Sequence, residues 1–234
     1  MHYECVFCSD LGDFYHNSFE RICLILSKNN NKMKTSIAKA LFHSHPYTNY
    51  RKIVSDLLKE GKSSGNEQSE DLTHYSALNE TRMNRLDKTI KIDPVIAEQL
   101  KGLQNEYIWL VLAEGWCGDA AQLLPIMNKM ALETDKIDLK VVFRDENDDL
   151  MQHFLTNGGK AIPKLIIIDK ATSEVVGDWG PRPKGAKDLI LNYKKEHGVV
   201  DETAKSELQL WYLHDKGIST QEEILGLITE SVEV

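Results

Sequence analysis

Apolar residues follow two spacings along this chain. In YIWLVLAE (107–114) and LKVVF (139–143) they run without interruption and include β-branched and aromatic side chains, the pattern of strands buried on both faces. KLIIID (164–169) and EVVGDW (174–179) are separated by only a short turn and predict an antiparallel hairpin. Elsewhere the spacing is helical. Tyr50, Ile53, Val54, Leu57 and Leu58 line one side of a helix over 47–59, and Leu123, Leu124, Met127, Met130 and Ala131 line another from Cys117 to about Thr134. Further helical patterns cover about Ser76–Leu86, Pro94 to about Leu103 with Asp93 as its N-cap, and Lys184 to about His197. Two more cover Asp201–Lys216 and Ser219–Val232, where Ser219 and Glu222 have capping-box spacing. Asn147 to about Thr156 predicts a short helix stopped by Asn157-Gly158-Gly159. The polar GKSSGNEQSED (61–71) predicts a loop.

The order strand, helix, strand, helix, strand, strand, helix is too short for a doubly wound fold. It suits a compact α/β sandwich in which helices cover both faces of a mixed four-stranded sheet. Four segments follow: an N-terminal stretch over 1–32, a helical extension over 33–104, the sheet-bearing core over 105–200, and C-terminal helices over 201–234. The first holds Cys5, Cys8 and Cys23 without sustained periodicity, and Met33 then opens MKTSIAKALF. This contrast predicts that 1–32 is a disordered tail or an extension produced by a misplaced start.

Composition narrows the function. Among 234 residues, 41% are hydrophobic and 27% charged, and the net charge of −8 disfavours general binding to nucleic acid or anionic membrane. With four cysteines there is no framework of secreted type, so a reducing cytoplasm is the expected compartment. Cys5, Cys8, His16 and Cys23 are too loosely spaced to read as a zinc set; no metal or cofactor is expected. His43 and His45 read as solvent-exposed, and RDENDD (144–149) as the acidic start of a helix.

The candidate chemistry is in EGWCGDAAQLLP (114–125). Cys117 falls where a buried strand gives way to a helix, and a thiol there meets free N–H groups and the positive end of the helix dipole. Gly118 and Asp119 follow rather than apolar residues, which predicts an exposed, reactive thiol, although the Asp119 charge opposes a neighbouring thiolate. In DWGPRP (178–183), Trp179 and Arg182 sit in a proline-stiffened loop that is a candidate for lining the site or binding an anionic substrate group.

EGWCGD, NGGKAIPKLIIID and EVVGDWGPRP, in that order, resemble the thioredoxin superfamily, and in particular a bacterial branch with Trp-Cys-Gly-Asp in place of Trp-Cys-Gly-Pro. The resemblance covers about 90–200. It implies a thioredoxin-like fold, Cys117 as the attacking cysteine, Trp116 as its flanking aromatic, and Pro163 as a cis proline against the thiol. It also implies that the backbone of Ile162 is an edge for an extended substrate. Two departures stand out: Ala120 replaces the resolving cysteine, and Val111 the strand acid that assists it. The expected activity is therefore thiol–disulfide exchange or de-thiolation by one thiol. Its substrates would be protein or low-molecular-weight disulfides, and an external thiol reductant would complete the cycle. The alternative is a thioredoxin-fold module that binds peptide or protein without exchange.

Overall fold

The computed structural model describes residues 30–230. The expectations about Cys5, Cys8, His16 and Cys23 fall outside the described residues. Positions 30–42 are helical (α1), so Asn30-Asn31-Lys32 continue directly into MKTSIAKALF. After α1 come β1 (His45–Pro46), α2 (Tyr47–Lys59), α3 (Glu70–Thr89), α4 (Pro94–Lys101), β2 (Tyr107–Ala113) and α5 (Gly118–Ala131). The chain continues through β3 (Ile137–Phe143), a 3-10 turn (Arg144–Glu146), α6 (Asp148–Met151), β4 (Lys164–Asp169), β5 (Val175–Trp179), α7 (Lys184–His197), α8 (Glu202–Asp215) and α9 (Ile218–Glu230).

The sheet has five strands in the order β1-β3-β2-β4-β5. The four expected strands are present: β2 is parallel to β3 and antiparallel to β4, and β4 pairs antiparallel with β5. The fifth is a correction. His45 and Pro46 pair with Val141 and Lys140 at the edge of β3, so His45 is a strand residue, with its ring 6.1 Å from that of Phe143. Two residues leave no periodicity to read, and a proline at an outer edge forfeits no ladder bond. β2 is central and wholly apolar from Trp109 to Ala113, all at zero exposure. On it and β3 lies α5, whose Leu123, Leu124, Met127 and Met130 are fully buried. Each such side chain contributes about 1.5–3 kcal/mol relative to exposure.

Several boundaries differ from the sequence reading, each for a local reason. α3 begins at Glu70 because the Ser69 hydroxyl accepts from Leu72 N–H at 3.2 Å, with Glu70 and Asp71 in the first turn. α6 is a single turn: Asp145 and Glu146 lie in the 3-10 turn before it while Asp148 and Asp149 open it, and the chain reverses at Asn157 and Gly158, with φ of 50° and 77°. Ser219 and Glu222 do not form a capping box: Asp215 caps α9, accepting from Gly217 N–H at 3.1 Å and Ser219 N–H at 3.2 Å. The 61–69 segment is a loop, yet Ser63 and Ser64 within it are buried. No helix among the described residues is long and apolar enough to cross a membrane.

Candidate functional site

β2 ends at Ala113 and α5 starts at Gly118, so the intervening Glu114-Gly115-Trp116-Cys117 turn hangs from two rigid elements. Cys117 is the N-cap of α5. Its sulfur accepts from Ala120 N–H at 3.4 Å, and its S–H donates to the Ile162 carbonyl at 3.3 Å. The Ile162–Pro163 bond is cis, as is Gly180–Pro181, and a Cβ built on Gly180 would lie 2.2 Å from the Pro163 carbonyl oxygen. The two proline loops are therefore pressed together beside the thiol.

The expected exposure of Cys117 is not observed. The residue is 8% exposed, and its thiol is pushed up to about 12, by burial first and the Asp119 carboxylate second. Ala120 N–H, Asp119 N–H and the Arg182 charge act in the opposite direction and do not offset this. Polar neighbours in sequence suggested a solvated position. In the fold Asp119 turns inward instead and is buried against residues distant in sequence. One Asp119 oxygen pairs with Arg182 Nη2 at 2.7 Å; the other accepts from the Tyr212 hydroxyl at 2.9 Å. Gly118 lies under Arg82, whose Nη1 is 3.7 Å from the position of a Cβ there.

Of the proline-loop pair, Arg182 reaches the site and Trp179 does not participate in it: the buried Trp179 indole N–H donates to Glu223 on α9 at 2.8 Å. Trp116 is half-buried, with the Arg144 guanidinium 5.0 Å from its ring centre. Beside it a cavity of about 330 Å³ is lined by Trp116, Arg144, Asp145, Asn66, Glu67 and Leu72.

Four contributors escaped the sequence reading. Glu114, three residues before the cysteine, has zero exposure. Its carboxylate accepts from Asp145 N–H at 3.0 Å and from the Ser64 hydroxyl, yet burial still raises it to about 7. Ser64 also accepts from Gly115 N–H at 2.8 Å, and Asn79 Nδ2 donates to the Gly115 carbonyl at 2.9 Å. Arg82 in turn holds Asn79 through Oδ1 at 2.5 Å. Glu114 had a signal, a charge closing an apolar run. Ser64, Asn79 and Arg82 had none, because they reach the turn only through tertiary packing. Among the described residues, no group of three or more His, Cys, Asp or Glu side chains could hold a metal ion.

A mixed sheet with a capped cysteine at a strand-to-helix turn, facing an X–Pro carbonyl, defines a thioredoxin-like protein. A family model described as thioredoxin, Thioredoxin_9, matches residues 65–198, and the chain belongs to that family. The match begins inside the 61–69 loop and takes in α3, the helix that contacts the cysteine turn. Two solved structures share the fold. One is a protein of unknown function from Pseudomonas aeruginosa, 19% identical, with a TM-score of 0.53 over 66% of this chain and 86% of its own. The other is an HIV epitope scaffold, 20% identical, with a TM-score of 0.51 over 80% of this chain and 99% of its own. No curated protein matches the sequence.

Proposed function

We propose that this thioredoxin-family chain acts as a binding module, with Cys117 held as a neutral thiol in the resting state rather than as a working nucleophile. The observation that carries this reading is the buried sulfur whose thiol is raised to about 12. Relative to an unperturbed cysteine of pKa about 8.5, such a thiol presents orders of magnitude less thiolate at pH 7. Ala120 offers no resolving sulfur. The Trp116 face, with Arg144 stacked on the ring and paired with Asp145, and with a cavity beside it, offers an aromatic and polar surface for a peptide or protein segment.

One-thiol exchange is the second reading, favoured by the Ala120 N–H and the Ile162 carbonyl that meet at the sulfur. Alkylation of the native protein by iodoacetamide from pH 6 to 11 separates the two. The binding reading expects slow modification that still climbs at pH 10 and becomes fast on unfolding. A plateau with a midpoint below about 8.5 would establish an activated thiolate and favour exchange.

A further inference from the structure

The long helix α3 and the helix α8 leave a groove between them, and Arg82 on its wall also reaches the cysteine turn through Asn79. Two adjoining cavities of about 610 and 660 Å³ lie in it, sharing Arg85, Gln122 and Leu213. Each is in the size range of small-molecule sites. The walls are apolar: Leu78 is 47% exposed, and Leu210 and Leu213 are each 53% exposed, all three along the groove. Scattered apolar residues on a surface need no explanation, but a contiguous lining does.

The charge in this groove runs against that of the chain. The protein carries −8, whereas the charged residues lining the two cavities are Arg82, Arg85, Lys91 and Lys216 against a single acid, Asp93. Asp93 already caps α4, accepting from Val95 N–H at 2.8 Å. The acids Glu80 and Asp87 of α3 pair with Arg51 instead. Asp119, the acid whose field reaches Arg82, is held by Arg182 and Tyr212. Arg82 is thus a partly buried guanidinium beside a second one, Arg85, with no carboxylate among the described residues in ion-pair contact with either. Burial and the Arg85 charge both act against its cationic form. An uncompensated, partly desolvated charge is costly, and an anion from outside would relieve it.

We propose that the α3–α8 groove binds a small amphipathic carboxylate, with Arg82 and Arg85 receiving the anion and Leu78, Leu210 and Leu213 covering its alkyl body. The bidentate geometry of guanidinium suits a carboxylate, and the apolar walls select against a bare inorganic anion. This ligand class is independent of any reaction at Cys117.

The test is isothermal titration of the full chain with dodecanoate, acetate and dodecyltrimethylammonium. Saturable 1:1 binding of dodecanoate is expected, with acetate at least a hundredfold weaker and the cationic amphiphile not bound. Arg85→Gln, at an exposed position, should weaken dodecanoate at least tenfold while the melting temperature stays put. Leu213→Asp should abolish binding. The proposal is overturned if dodecanoate does not saturate, if the cation binds as well as the anion, or if Arg85→Gln keeps wild-type affinity. Saturable binding of an acidic peptide that dodecanoate does not displace would also overturn it, assigning the groove to a protein partner.

Discussion

Removing the Arg182 guanidinium should expose how the site is held shut. In Arg182→Met the stem is kept, and Asp119 loses the cation 2.7 Å from its carboxylate. At an effective dielectric of about 20 the direct attraction at that distance is about 6 kcal/mol, most of it cancelled by the desolvation of both ions. Breaking a fully buried pair costs about 3–5 kcal/mol because the remaining charge is stranded. Asp119 and Arg182 show 10% and 29% side-chain exposure, and water reaching the arginine reduces the expected cost to about 2–3 kcal/mol. For a chain of this size that corresponds to a fall in melting temperature of about 4–12 °C. Urea and thermal unfolding at pH 7 measure it. Adding Asp119→Asn should recover more than half of the loss, because the amide still accepts from Tyr212 and no charge is stranded. Arg182 also lowers the Cys117 thiol, so Arg182→Met should slow native alkylation further. A cost below about 0.5 kcal/mol, or a double variant no better than the sum of the singles, would refute this account.

Glu114 supplies a pH dependence. Its carboxyl rises from 4.5 to about 7 on folding, so the folded state binds the extra proton. Stability from this group is therefore full below about pH 4.5, declines to about pH 7, and is then level, a span of roughly 3 kcal/mol. Glu114→Gln should flatten that slope in urea titrations between pH 5 and 8; an unchanged slope would place the titration elsewhere. Gly180→Ala combines a φ of 119° with a Cβ 2.2 Å from the Pro163 carbonyl oxygen. It should cost at least about 3 kcal/mol, and a variant that melts within 2 °C of wild type would contradict the close approach of the two loops.

The sheet-forming strands were legible because central strands buried on both faces leave continuous apolar runs, as YIWLVLAE does. Helix α2 is legible from its period and α4 from its Asp93-Pro94 start. β1 was not, since two residues carry no period. The site was read in its atoms and misread in its environment. Cys117, Asp119, Ile162 and Arg182 do converge, but a polar GDA sequence suggested solvent where the fold supplies Arg182 and Tyr212. Partners separated by 63 and 93 positions from Asp119 have no local trace. Val111 holds no acid, and the buried carboxylate lies instead three residues on, at Glu114, just past the end of β2.

Both backbone groups of Gly115 are taken by side chains that precede β2: its N–H by Ser64 and its carbonyl by Asn79. Glu114 leans on the same serine. These contacts cross the divide expected near residue 104. A fragment holding only the sheet and its C-terminal helices would carry a cysteine loop with orphaned donors and acceptors. Part of what holds the cysteine loop accordingly resides outside the stretch that contains it. The loop is thus tied to the body of the protein from two separate places, the 61–69 loop through Ser64 and α3 through Asn79.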